Sequence, residues 1–223
     1  MTDSDPVFLI TGASSGIGAA TARQAAEAGY RLAFGARSTD RIEALADELG
    51  GAERAVAVTC DVTEWDQQQA FVQTTLERFG RLDVAFANAG FGAARGFTAE
   101  SPEHWRSMVL TNVYGAALTI RATMGPLRES RGHLLLTGSV AGRRALPGSL
   151  YSATKWAVRS SIASSSTEQG PAIMTTSSPP IGTPATSTRL SLGWNSRLAS
   201  LNGFVICTIS WMPGRCENAS RYA

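Results

Sequence analysis

Three cysteines (Cys60, Cys207 and Cys216) and two histidines (His104 and His133) in 223 residues leave little with which to bind a metal. Neither set has ligand or redox spacing, and an odd number of thiols suits a reducing compartment better than a disulfide framework. An excess of one charge is also missing: 20 Lys and Arg stand against 18 Asp and Glu, a net +2. Such a balance gives no argument for nucleic acid or an acidic membrane surface as a partner. No apolar run approaches the ~18 residues that span a bilayer. The start, MTDSDP, is acidic and polar, unlike a secretory signal. Together these absences predict a cytoplasmic chain with no metal, no membrane and no nucleic-acid partner.

What remains is a chain with 43% hydrophobic residues, enough for one domain with a sizeable core. Short apolar runs alternate with amphipathic stretches over the first 160 residues. VFLI (7–10), RLAFGA (31–36), AVAVTC (55–60), part of LDVAFANAG and HLLLTG (133–138) read as buried strands. Helices are predicted over 16–29, ended by Gly29, and over 40–50, with Ile42, Leu45, Ala46 and Leu49 on one face. Thr63 is the expected N-cap of a helix running to about Phe79. Ser101-Pro102 opens another helix with the cap first and proline in the first turn. Strands alternating with helices, each strand apolar throughout, predict a doubly wound parallel α/β sheet covered on both faces. In such a sheet the ligand lies at the carboxyl ends of the strands.

The residues that follow the strands fit that expectation. TGASSGIG (11–18) leaves the first strand and enters a helix. It brings Gly12, Ser14, Ser15, Gly16, Ile17 and Gly18 to a helix N-terminus, where free N–H groups and the dipole favour an anion. Gly12 suits a tight turn; Gly16 and Gly18 remove side chains where a diphosphate must approach. The second strand ends Gly35-Ala36-Arg37, with no acid to hold ribose hydroxyls and an arginine that can pair with a 2′-phosphate. That pattern predicts NADP(H), with NAD(H) tolerated. After the fifth strand come Ser139 and then Tyr151 and Lys155, whose i, i+4 spacing places both on one helix face.

The glycine spacing Gly-x3-Gly-x-Gly, Asn88-Ala89-Gly90, Asn112, Ser139 and the Tyr151–Lys155 pair, in this order, resemble the short-chain dehydrogenase/reductase family over about residues 7–160. The resemblance implies a dinucleotide-dependent dehydrogenase or reductase acting on a small carbonyl or secondary alcohol. It implies that Asp61 bonds the adenine amino group while Val62 packs on the ring; Asp61 also suits a helix start beside Thr63. It implies that Asn88-Ala89-Gly90 steadies the central sheet and lets backbone pass close to the cofactor. Reduction of a carbonyl leaves an alkoxide that needs a proton. A free phenol holds its proton up to a pH of ~10, and a nearby ammonium favours the phenolate. Tyr151 is the expected acid and base, and Lys155 the ammonium and a ligand of the nicotinamide ribose. Ser139 is expected to orient the substrate oxygen, and Asn112, in the Ser101 helix, to hold a water linking Lys155 to solvent. The resemblance further implies a homodimer or homotetramer built on the helices around 102–125 and 151–165.

Beyond residue 160 the composition changes. Residues 160–223 hold 13 Ser and 7 Thr, against 10 Ser in the preceding 159, and charged residues fall from 32 of 159 to 6 of 64. A divide follows between a dinucleotide-binding and catalytic core, 1–160, and a divergent segment, 161–223, of the same domain. The divergent segment reads as an out-of-frame, disordered tail, as an unusual substrate region, or as the mark of a nucleotide-binding protein without catalysis. A nucleotide-sugar epimerase or dehydratase uses related residues but usually needs a larger C-terminal domain. In IMTTSSPPIGTP (173–184) Thr183 is the candidate for the family's carboxamide contact, with Pro180 where a glycine is expected. GFVICTISW (203–211) is the one later run that reads as a strand, displaced from the family's position.

Overall fold

The first strand, β1 (Val7–Thr11), is buried along its whole length. Val7 and Leu9 join one apolar cluster while Phe8 and Ile10 join the other, because successive strand side chains leave opposite faces. In β2 (Arg31–Ala36), Ala33 goes with the first cluster and Leu32 and Phe34 with the second. A strand apolar on both faces needs cover on both, which the helices supply. The computed structural model describes residues 5–94, 96–143, 150–165, 172–175 and 206–210.

Helices α1 (Gly16–Glu27) and α2 (Thr39–Glu48) place Ala22, Ala25, Ile42 and Leu45 on one side of the sheet. On the other side, α3 (Trp65–Phe79) contributes Phe71, Val72 and Phe79, and α5 (Ala116–Ser130) contributes Leu127. With β3 (Ala55–Thr59), β4 (Val84–Ala87) and β5 (His133–Thr137), the strand order is β3-β2-β1-β4-β5, all neighbours parallel. The order reverses direction between β1 and β4, which opens a crevice at their carboxyl ends.

Several boundaries differ from the sequence reading. The first helix stops at Glu27, with Gly29 at φ +90° beyond it. Thr63 does not cap α3: the capping position is Glu64, and Thr63 gives its N–H and hydroxyl to Asp61 Oδ1 at 3.0 and 2.8 Å. Ser101 does cap α4 (Pro102–Val109), accepting from the His104 N–H at 3.2 Å. That helix is not continuous through Asn112: a π-helical stretch, Leu110–Gly115, intervenes before α5.

The last helix, α6 (Leu150–Ser165), runs through the first serines of the divergent segment. Two more strands, β6 (Ala172–Thr175) and β7 (Ile206–Ser210), extend the sheet beyond β5 in the order β5-β7-β6. The expectation that an out-of-frame tail leaves β5 without a neighbour is corrected here. β7 pairs with it, but antiparallel, from His133 opposite Ser210 to Thr137 opposite Ile206. The added edge is therefore not part of the parallel winding. Thr183 and Pro180 lie outside the described residues, as do residues 144–149 between Ser139 and Tyr151. Among the described residues no helix is long and apolar enough to cross a membrane.

Candidate functional site

A cleft of about 700 Å³ opens at the carboxyl ends of β1, β2, β3, β4 and β5. Its wall on the β1 side is the glycine loop. Gly12 has φ +67°, and a Cβ there would stand 2.7 Å from the Ala89 backbone, so the turn is pressed against the loop after β4. Gly16 has φ +55° with open space around it. No side chain caps the N-terminus of α1 and no acid sits in its first turn. The N–H groups there are left for an anion, which is the fit a dinucleotide diphosphate needs.

Gly18 serves a different purpose from the one its spacing suggested. It is buried, and a Cβ on it would meet the Gly12 carbonyl oxygen at 2.4 Å and Asn88 Nδ2 at 2.7 Å. The missing side chain makes room for the loop itself, not for the ligand. Gly18→Ala is expected to destabilise the protein by about 1–3 kcal/mol, the usual cost of overpacking against groups that cannot move aside. Urea unfolding measures it; an unchanged midpoint would show that the contact relaxes freely.

Asn88 ties the same region together. Its Nδ2 donates to the carbonyls of Thr11 and Gly12 at 3.1 and 3.2 Å, and its Oδ1 accepts from Thr137 Oγ1 at 3.0 Å. The Asn88 and Ala89 N–H groups both reach Thr11 Oγ1, at 3.0 and 3.2 Å. One side chain thus joins the ends of β1, β4 and β5. Thr11 and Thr137 carry no signal in the sequence; a threonine closing a strand is unremarkable there, because only the fold brings the two to one asparagine.

The opposite end of the cleft is lined by Arg37, Ser38, Cys60, Asp61 and Val62. Arg37 is exposed and makes no ion pair among the described residues. Asp61 both lines the cleft and holds Thr63, so a place at the cleft and a place at the start of α3 are compatible; Val62 is buried beneath. Cys60 is buried, and burial, helped by the Asp61 carboxylate, pushes its thiol up to about 12, so it stays protonated and unreactive.

Tyr151 and Lys155 line the cleft between these ends. Lys155 Nζ lies 5.6 Å from the centre of the Tyr151 ring and donates to the Thr137 carbonyl at 3.0 Å. The lysine is 5% exposed, and burial pushes its ammonium down to about 8. It is therefore still mainly charged at neutral pH. Ser139 stands at the end of β5, where its Oγ accepts from the Ala141 N–H at 3.2 Å and caps a short 3-10 turn. It is not among the residues lining the cleft.

Asn112 is likewise behind the lining. The alternative reading, that it bonds the backbone of its own helix, is corrected. Its Oδ1 accepts from the Phe91 N–H at 3.0 Å, and its Nδ2 donates to the Phe91 carbonyl at 2.9 Å and to Thr154 Oγ1 at 3.2 Å. Thr154 in turn donates to the Tyr151 carbonyl at 2.7 Å. A bridge therefore runs from the loop after β4, through the π-helical stretch, to the helix that carries the tyrosine. Gly90 completes it: a Cβ there would stand 2.9 Å from Asn112 Oδ1. Among the described residues no group of His, Cys, Asp and Glu could hold a metal. The arrangement can seat a diphosphate at one end and present a phenol beside an ammonium at the other.

Comparison with known proteins agrees with this geometry. The family model for short chain dehydrogenases matches residues 6–191. An uncharacterized oxidoreductase of Listeria monocytogenes is 37% identical over 162 residues, covering 71% of this chain. This chain spans about 65% of that relative's length. An alcohol dehydrogenase from the archaeon Thermococcus sibiricus, solved with 5-hydroxy-NADP, superposes with a TM-score of 0.70 at 38% identity, covering 74% of this chain and 72% of that one. A short-chain dehydrogenase/reductase from Burkholderia phymatum, solved with NAD, does so with a TM-score of 0.67 at 32% identity, covering 74% and 60%.

Proposed function

Since this chain belongs to the short-chain dehydrogenase family, we propose that it is an NADP(H)-dependent oxidoreductase acting on a small carbonyl or secondary alcohol. The observation that carries the proposal is the placing of Tyr151 and Lys155 on the same cleft as the glycine loop, phenol and ammonium side by side. The diphosphate would rest on the N-terminus of α1 and the backbone of Gly12 and Gly16, with Asp61 and Val62 at the adenine and Asn88-Ala89-Gly90 shaping the wall between. The nicotinamide, when bound, supplies or accepts the hydride.

The protein's own groups handle the proton. Tyr151 gives its hydroxyl proton to the carbonyl oxygen during reduction and takes it back during oxidation. Lys155 stabilises the phenolate that remains and bonds the nicotinamide ribose. Ser139 holds the substrate oxygen and eases its developing charge. Asn112 keeps the loop after β4 and α6 in register, and a water held beside it returns the proton from solvent toward Lys155. Val109, Leu110, Tyr114 and Trp156 are large apolar residues exposed on the helices the family uses for assembly, which supports a homodimer or homotetramer.

The test is NADPH oxidation across a panel of aldehydes and ketones, beside a fluorescence titration of NADPH binding. Turnover with at least one carbonyl is expected. Binding without turnover on the whole panel would instead favour a non-catalytic nucleotide-binding protein.

Arg37 carries the NADP(H) preference. A charge-assisted hydrogen bond is worth about 1.5–3 kcal/mol, so Arg37→Gln is expected to weaken NADPH binding by roughly 10- to 100-fold and to leave NADH binding nearly unchanged. Dissociation constants for both nucleotides check it; tighter binding of NADH by the wild-type chain would overturn the assignment.

A further inference from the structure

The loop Phe91–Ala94 follows Asn88-Ala89-Gly90, and three of its residues, Phe91, Gly92 and Ala93, line the cleft beyond the nucleotide wall. It contains no regular secondary structure, yet side chains from the adjoining elements fasten it at successive points. Asn112 holds both backbone groups of Phe91. His104, on α4, places Nε2 3.3 Å from the Gly92 carbonyl, so that nitrogen carries the hydrogen and donates. The His104 ring also meets the Phe91 ring edge to face, with centroids 5.3 Å apart. Glu100, just before α4, accepts the Ala94 N–H on Oε1 at 2.8 Å and faces His104 Nδ1 with Oε2 at 3.7 Å. Asn112 is fixed from behind by the π-helical stretch and Thr154. His104 and Glu100 have no other task visible in the fold: both are partly exposed and neither closes the apolar core.

We propose that His104 and Glu100 are positioning residues, a clasp that sets the loop Phe91–Ala94 as the substrate-side wall and thereby the affinity for the carbonyl compound. The inference rests on the reductase reading of the cleft. The clasp grips backbone, which presents no chemical group of its own to the reacting atoms. Releasing it loosens the wall without removing the phenol, the ammonium or the diphosphate seat. The wall it positions is the Phe91 ring and the small residues Gly92 and Ala93, with no charge among them, which suits an uncharged, apolar carbonyl over a carboxylate-bearing one. The His104 ring is both the donor to Gly92 and the surface against Phe91, so its loss acts twice.

His104→Ala and Glu100→Ala test the proposal, with His104→Gln as the conservative control, since a glutamine can still donate to the Gly92 carbonyl. Each alanine variant is expected to raise KM for the best apolar ketone or aldehyde about tenfold, with kcat within twofold and the NADPH dissociation constant unchanged. Backbone hydrogen exchange at Phe91–Ala94 should quicken in both, and His104→Gln should recover at least half of each change. Faster exchange with unchanged KM would overturn the positioning role, and unchanged exchange would overturn the clasp itself. A fall in NADPH affinity equal to the change in KM would assign the two residues to nucleotide binding and so overturn the proposal. Absence of turnover in the wild-type chain would remove the reductase reading and with it the substrate-side role, while exchange at the loop would still decide whether the clasp exists.

Discussion

Tyr151→Phe is expected to reduce turnover by at least a hundredfold and by as much as about ten-thousandfold, the usual span for losing a positioned general acid. NADPH should still bind, because the phenol oxygen is not part of the diphosphate seat or of the Arg37 end of the cleft. The substitution keeps the ring, so the face that Lys155 approaches at 5.6 Å survives, and only the proton carrier is lost. Thr154 donates to the Tyr151 backbone carbonyl, not to the phenol, so the anchoring of α6 is also untouched. A stopped-flow measurement of NADPH oxidation separates this from a folding defect. The expected pattern is normal nucleotide affinity with a lost chemical step. Turnover within a few-fold of wild type would mean that another group delivers the proton, and the assignment of Tyr151 would fall.

Lys155→Met should cost activity on a similar scale and, unlike the tyrosine change, should also weaken nucleotide binding, because the lysine has two proposed tasks. It should nevertheless make the nucleotide-free protein more stable. Burial lowers the Lys155 pKa from 10.5 to about 8. A shift of that size corresponds to about 3 kcal/mol of folding free energy lost in keeping a charge out of water. The hydrogen bond from Nζ to the Thr137 carbonyl, worth about 1 kcal/mol net, disappears with it, so the expected gain is about 1–2 kcal/mol at neutral pH. The pH dependence follows from the same shift. Between about pH 8 and 10.5 the unfolded chain holds the lysine proton and the folded chain has released it. Wild-type stability should therefore rise with pH through that window relative to Lys155→Met, and below it the full cost remains. The comparison must be made against the variant because Cys60 works in the opposite sense. Its thiol, pushed up to about 12, lowers stability as the unfolded chain ionises at alkaline pH. Urea unfolding of both proteins from pH 7 to 10 measures the difference; parallel curves would show that the buried ammonium costs nothing.

Much of the central sheet was legible because a parallel strand covered on both faces is apolar throughout, as VFLIT and RLAFGA are. The glycine loop was legible because its residues follow one another along the chain. What escaped the sequence depends on partners far apart in it. Gly18 is a glycine because of the Gly12 carbonyl and Asn88, a contact that exists only once β1 and β4 lie side by side. Thr63 has the chemistry of a cap, but the Asp61 carboxylate competes for its N–H and wins. The acceptor for Lys155 is a main-chain carbonyl, that of Thr137, and every residue has one. The strand character of 203–211 was visible, whereas its direction against β5 is set by the path of the chain, not by its own side chains.

The π-helical stretch at Leu110–Gly115 has a consequence for the rod that α4 and α5 would otherwise form. An extra residue in one turn advances everything after it by about 100° around the axis. The phase offset lets Met108 enter the core on one side of the stretch and Leu118 on the other, while Asn112 is turned inward at the widened turn. Straightening the rod would swing either the asparagine or the whole apolar stripe of α5 out of place. A fault in helical periodicity, not a polar residue added to a regular helix, is what lets one continuous element both seal the sheet and reach the chemistry.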